Sequence, residues 1–73
     1  MMTRAEQTAR NFTILGIEGL IRHNESRLVE IDHLDATLGE VGREARAASR
    51  PIIEEKLKLA QEALRIRKAN GGR

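Results

Sequence analysis

The sequence contains no cysteine, tryptophan or tyrosine, and Phe12 is its only aromatic residue. Without cysteine the chain can form neither a disulfide nor a thiolate metal site. Proteins that read single-stranded nucleic acid by sequence stack the bases on aromatic side chains, so a single phenylalanine argues against that function. A domain of 73 residues has a modest core, and this one needs long helices or a partner for its stability.

Long apolar runs are also missing. The most apolar segment, residues 14–21, includes Glu18, whereas a membrane span needs about 20 apolar residues and a secretory signal an uncharged apolar run. We therefore expect a cytoplasmic protein without membrane contact, located in the host cytoplasm if a phage encodes it.

Motifs for catalysis and cofactor binding are not found. The glycines at residues 16 and 19 lack the third glycine and the preceding strand of a dinucleotide-binding fingerprint. His23 and His33 are ten residues apart, which is not a helical spacing for metal ligands. A chain of this size would also have difficulty excluding water from an active site. We expect no enzyme activity, no cofactor and no metal.

What the sequence does contain is a helical composition, rich in alanine, leucine, glutamate and arginine. Thr3 followed by Glu6 forms a capping box, which predicts a helix from residue 4. A heptad seam then continues to residue 38 with alternating spacings of three and four. Its members are Ile14, Ile17, Ile21, Asn24, Leu28, Ile31, Asp35 and Leu38. The seam predicts a helical region over residues 4–38.

Three residues leave alternatives open within this region. Gly16 and Gly19 predict either a kink or a close approach of another backbone. Asn24 is either a buried polar residue that sets the helix register or a cap that restarts the helix at Glu25.

The second half of the chain begins with a predicted turn over residues 39–42, GEVG. A second helical region should cover residues 43–69, followed by a short basic tail over residues 70–73. Pro51 would clash with an unbroken helix, so Ser49 is predicted to cap a fresh helix after a short lead-in over residues 43–48. The predicted fold is a single all-α domain, residues 1–73. Two long helices, either of which can be broken, form a helical hairpin or a small bundle.

The second helix has two apolar stripes, and a simple hairpin buries only one of them. The first stripe consists of Ile53, Leu57, Ala60 and Leu64, and the second includes Ile52, Leu59 and Ile66. The second stripe is a predicted association face, which requires a third helix, a second copy in a homodimer, or a different partner protein. A compact bundle folded at residues 16–19 and 51 would use the same residues.

Arginine outnumbers lysine ten to three, and its planar fork suits phosphate and carboxylate. Arg43, Arg46 and Arg50 are spaced to form a column on one helical face. Arg65, Arg67 and Lys68 form a basic end. Both groups are predicted contacts for a partner protein or for a nucleic-acid backbone, without base-specific reading. The alternative is that they pair with acidic residues of the same chain, namely Glu40, Glu44 and Glu62.

Acidic residues are concentrated in the first helical region. Glu18, Glu25 and Asp32 recur every seven residues beside the seam, where coiled-coil helices carry partner-selecting charges. They form a predicted acidic partner face. The separation of an acidic middle from a basic end suggests more than one kind of contact.

Residues 2–11, MTRAEQTARN, resemble the start of the Rop family of plasmid copy-number regulators, and LDA at residues 34–36 resembles the turn of that family. Rop proteins are helical hairpins that dimerise and clamp paired RNA loops. The resemblance implies an RNA contact at Asn11. Leu15, however, stands in the place of the RNA-stacking phenylalanine of the family, and the second helix differs throughout. A self-associating RNA-binding hairpin is therefore an alternative function.

In length and charge the chain also resembles small phage-encoded regulators that bind host RNA polymerase, such as the inhibitor and antiterminator of Xanthomonas phages. This resemblance is one of size and character, and no motif carries it. It implies a non-catalytic regulator that binds a host machine, with bacterial RNA polymerase as the expected target, and that inhibits transcription initiation or promotes antitermination. An inhibitor of another host or defence complex is a further alternative.

Overall fold

The computed structural model describes residues 1–71, which form three α-helices and no strand. Helix α1 covers Arg4–Asn11, α2 covers Ile14–Leu38 and α3 covers Glu40–Ala69. The prediction of an all-α fold with two long helices is confirmed, and a short N-terminal helix is present in addition.

Helix α1 begins with the predicted capping box. The Thr3 hydroxyl accepts a hydrogen bond from the Glu6 backbone N–H at 3.1 Å, and the Glu6 carboxylate accepts one from the Thr3 N–H at 3.3 Å. These two bonds satisfy N–H groups that a helix start otherwise leaves unpaired.

The first helical region is not continuous over residues 4–38, because it breaks at Phe12 and Thr13. Phe12 has an extended backbone with φ −120° and ψ 147°. Thr13 caps α2 by accepting a hydrogen bond from the Gly16 N–H at 3.1 Å. Gly16 and Gly19 lie inside α2. A glycine weakens a helix by about 1 kcal/mol but retains its N–H donor, so it does not have to end one.

The predicted turn over residues 39–42 is confined to Gly39, which has φ 63° and ψ −124°. Glycine adopts positive φ without the steric penalty that a Cβ brings. Gly42 instead lies inside α3, where it is buried against the backbone of α2. A Cβ on Gly42 would overlap the carbonyl group of Leu34 and stand 2.8 Å from the Cα of Asp35. The second glycine therefore permits close helix packing.

Helix α3 continues through Pro51, so the prediction of a fresh helix capped by Ser49 is wrong. Residues 43–48 belong to the same helix. The proline ring is exposed, and its missing N–H removes the usual partner of the Ala47 carbonyl. Two residues of α3 on either side of the proline are buried, namely Gly42, nine residues before it, and Ile53, two residues after it. Packing on both sides keeps the helix together across this position.

The heptad seam of α2 is the face that packs against α3. Ile17 is fully buried and Ile31 is 8% exposed, whereas Leu38 at the end of the seam is exposed. Ile53 and Ala60, from the first apolar stripe of α3, are buried as well.

Asn24 is buried within α2 at 7% exposure. Its side-chain Nδ2 donates a hydrogen bond to the Leu20 carbonyl at 2.8 Å. Because α2 is continuous here, the alternative of a helix restart at Glu25 is wrong. Asn24 is a buried polar residue on the seam, and its amide is satisfied within its own helix.

Helix α1 lies beside the C-terminal half of α3 and contacts α2 much less. Ala5 and Ala9 are each 4% exposed, and Ala9 forms an apolar cluster with Ile17 and Ala63, against which Ile66 packs. At 8 residues, α1 is about 12 Å long, against about 45 Å for α3. The other halves of α2 and α3 therefore form a bare two-helix hairpin.

Helix α3 ends at Ala69, after which the Asn70 N–H bonds to the Ile66 carbonyl at 3.1 Å. Gly71 follows with φ 67°. The predicted basic tail extends beyond the described residues, since Arg73 lies outside them.

Candidate partner-binding surface

The predicted arginine column lies on one helix, and two of its members contact α2. Arg46 Nε is 2.7 Å from Asp32 Oδ1, and Arg50 Nη1 is 2.6 Å from the same oxygen. Arg50 also pairs with Glu54 at 2.7 Å, and Arg46 approaches Asp35 at 3.8 Å. A single carboxylate of α2 thus bridges two guanidinium groups of α3, and we call this arrangement the Asp32 bridge.

The charges of Arg46 and Arg50 are compensated, because these two arginines contact the three carboxylates just named. The hydrogen bond from Arg46 lowers the pKa of Asp32 from its usual value of 3.8, and the bond from Arg50 adds to this effect. The same contact raises the pKa of Arg46. A phosphate that approached the column would have to compete with Asp32. The predicted phosphate contact here stays a prediction.

Arg43, the third member of the column, is exposed and forms no ion pair with a described residue. The alternative of pairing within the chain holds for Arg46 and Arg50, but their acidic partners are not the predicted ones. At the basic end the predicted partner Glu62 does lie 3.8 Å from Arg65. The carboxylates of Glu40 and Glu44 form no ion pair within residues 1–71.

The three members of the basic end of α3 differ in their contacts. Arg67 Nη1 donates to the Ala9 carbonyl at 3.2 Å, which satisfies one of the carbonyl groups that the end of α1 leaves unpaired. Arg65 is 78% exposed and lies 3.8 Å from Glu62, while Lys68 is exposed. The column and the basic end lie in opposite halves of α3, so the structure does not bring them into one surface.

The predicted acidic face follows one flank of α2, as the heptad spacing requires. Asp32 is occupied by the bridge to Arg46 and Arg50. Glu18 is half-buried and Glu25 is exposed, and neither forms an ion pair with a described residue.

The predicted association face is divided by α1. Ile66 packs against the cluster below α1, and Leu59 is half-buried near the start of that helix. Ile52 lies beyond the start of α1 and is 59% exposed. Only this last part of the stripe is bare.

A groove that the sequence analysis did not identify follows α3, with α2 beside one part of it and the start of α1 beside the other. One part has a volume of about 390 Å³ and is lined by Leu20, Arg27 and Ile53, among others. A second part of about 420 Å³ is lined by residues that include Arg4 and Leu59. Ile52 and Lys56 line both parts and so connect them. We call the two connected parts the basic groove.

The basic groove has uncompensated positive charge. Arg4, Arg27 and Lys56 border it, and none of them forms an ion pair with a described residue. Glu55 is the one carboxylate among the described residues that line it. The groove therefore differs from the arginine column, in which Arg46 and Arg50 pair with carboxylates of the same chain.

Part of the basic groove could have been predicted from the spacing of residues in the sequence. Arg27 stands seven residues after Leu20 and seven before Leu34, so a cation lies between two leucines on the flank of the seam opposite the acidic face. The proximity of Arg4 and Lys56 has no such signal, because it depends on how α1 docks on α3.

No group of three histidine, aspartate or glutamate side chains within residues 1–71 is arranged to hold a metal ion. His23 lines the basic groove, whereas His33 lies 3.4 Å from the Thr37 hydroxyl. None of the three helices, as far as the structure describes them, combines the length and the apolar character of a membrane span.

Comparison with known proteins finds no matching family model, no matching curated protein and no matching solved structure.

Proposed function

We propose that the protein is a non-catalytic regulator that acts by binding a larger macromolecular assembly. The observation that carries this proposal is the apolar surface of the bare hairpin, the half that α1 does not reach. Its large exposed apolar side chains are Val29, Leu34, Leu38, Val41 and Ile52, with exposures of 37% to 69%. Five large apolar side chains left exposed on one half of so small a protein support an interaction site there.

The grooves themselves favour binding over catalysis. They are open depressions on a thin bundle, and most of the side chains that line them are exposed or half-buried. A catalytic site normally excludes water so that its electrostatic interactions are strengthened. We therefore infer that the protein acts by occupying a surface that another factor needs.

For the assembly we propose bacterial RNA polymerase, with inhibition of initiation or antitermination as the effect. The support is the resemblance in length and charge to small phage-encoded polymerase regulators. Activity in the host cytoplasm belongs to the same proposal.

The Rop-like alternative has less support from the geometry. In a Rop-like hairpin, residues 2–11 would begin the first long helix. Here they form the separate helix α1, and Asn11 lies exposed at its end. An RNA-binding hairpin therefore remains an outcome of the test.

The test is affinity capture from a bacterial lysate with the tagged chain, with and without nuclease, using Ile52→Glu as a variant and Leu15→Glu as its control. Leu15 is 74% exposed but does not line the basic groove. We expect polymerase subunits to be retained after nuclease treatment, to be lost with Ile52→Glu and to be retained with Leu15→Glu. Capture of RNA alone would support the Rop-like function, and capture of another complex would support the third alternative.

A further inference from the structure

We propose that the basic groove binds an acidic amphipathic helix of the partner protein. This inference deepens the proposed function and rests on it in one respect only, namely that the partner contains a protein component. The groove has what helix-in-groove recognition requires, an apolar strip with charges at its edges.

The position of α1 shows how a helix docks on this side of the molecule. Helix α1 packs Ala5 and Ala9 against α3 and covers the stripe as far as Leu59. Ile52 lies seven residues before Leu59 in α3, about 10 Å away. It is 59% exposed, so no described residue covers Ile52 as α1 covers Leu59. A second helix placed end to end with α1 would extend the three-helix arrangement over the bare part of the stripe.

The charges determine which helix fits. Arg4, Arg27 and Lys56 lie around the exposed Ile52 side chain without ion-pair partners among the described residues. A helix with aspartate or glutamate beside its apolar residues would pair with them, whereas a basic helix would be repelled. On the opposite flank, Arg46 and Arg50 already pair with Asp32, so an acidic helix would have to compete with that carboxylate.

The apolar lining favours a protein helix over nucleic acid. Ile52 and Leu59 would stay in contact with water beneath a phosphate backbone, whereas the apolar face of a helix would bury them. Phe12, the single phenylalanine, does not line the groove, so His23 provides the one aromatic ring among its lining residues on which a base could stack.

The test uses two synthetic helical peptides that share one apolar stripe at spacings of three and four residues and carry either glutamate or lysine beside it. Binding to the full chain is measured by fluorescence anisotropy, and the contacted residues are identified from backbone amide NMR shifts. We expect the glutamate peptide to bind and to shift residues 20–27 and 52–59, and the lysine peptide to bind more weakly. Arg27→Glu combined with Lys56→Glu should weaken the glutamate peptide about tenfold or more. Arg65→Glu, at an exposed position away from the groove, should leave its binding unchanged.

The proposal is overturned if the two peptides bind equally, if the shifts lie outside the groove, or if a short RNA duplex displaces the glutamate peptide from it. It is also overturned if sedimentation shows that a second copy of the chain already fills the groove. Peptide binding does not depend on RNA polymerase, so polymerase capture can fail while the groove is confirmed. Conversely, capture that persists in the double charge reversal would refute the groove and leave the regulatory function standing.

Discussion

At the scale of single residues, the two glycines at positions 19 and 42 have opposite roles that their identity alone does not reveal. Gly19 has open space where a Cβ would be, whereas a Cβ on Gly42 would overlap the backbone of α2 at Leu34. Sequence reasoning placed Gly42 in a turn because glycine is common there. Only the packing of two helices shows that it is a contact position.

This difference predicts opposite effects of the same substitution. Gly19→Ala should stabilise the protein by up to about 1 kcal/mol, because alanine is the better helix former. Gly42→Ala should destabilise it by about 1–3 kcal/mol, because the helices must separate to admit the methyl group. Urea unfolding followed by circular dichroism measures both. Equal effects of the two substitutions would contradict the close approach at Gly42.

A second prediction at this scale concerns the Asp32 bridge. The pKa of Asp32 is lowered in the folded state, so its stabilising contribution is fully present above the unfolded value and is lost as the pH falls through the folded pKa. Asp32→Asn should lower stability at neutral pH, and its difference from the wild type should disappear well below pH 3.8.

Glu25→Gln is the matched control, because Glu25 lies on the same helix without an ion pair among the described residues. Because Glu25→Gln removes no ion pair between described residues, its urea midpoint at neutral pH should stay close to that of the wild type. Urea midpoints at a series of pH values measure both variants. A difference for Asp32→Asn that persists in acid would show that the bridge stabilises by some means other than charge.

At the scale of helices, the heptad seam and the capping box at Thr3 were sufficient to predict two long helical regions and their contacting faces. The break at residues 12–13 was missed because Thr13 lacks the acidic partner of a capping box, with Gly16 in its place. The site was less predictable than the fold. The heptad spacing places Arg27 on the same flank of α2 as Leu20, so this part of the site was predictable. Arg4 reaches the site only because α1 docks on α3, which the sequence pattern does not reveal.

Pro51 provides the prediction at this scale. Helix α3 continues through the proline, whose ring is exposed, yet the Ala47 carbonyl still lacks its helical hydrogen bond. Pro51→Ala should restore that bond and stabilise the protein by about 1–2 kcal/mol, after allowance for the greater freedom of the unfolded chain. Thermal unfolding measures the change. A loss of stability would mean that a bend at Pro51 is needed for α3 to pack on α2.

At the scale of the whole molecule, the chain is a three-helix bundle at one end and an uncovered hairpin at the other. The bundle end, with Ala9, Ile17 and Ala63, provides the core. The hairpin end is held by the Asp32 bridge on one flank and is open on the other. From this asymmetry we propose different tasks for the two flanks, structural support on the flank of the arginine column and partner binding in the basic groove.

The most direct test removes two positive charges from each flank in turn and measures retention of the captured partner. The groove variant is Arg27→Ala with Lys56→Ala, and the column variant is Arg46→Ala with Arg50→Ala. Both should remain folded, because ion pairs and charges at exposed positions contribute at most about 1 kcal/mol each. We predict that the groove variant loses the partner while the column variant retains it. Retention by the groove variant together with loss by the column variant would contradict this assignment and return the partner contact to Arg46 and Arg50.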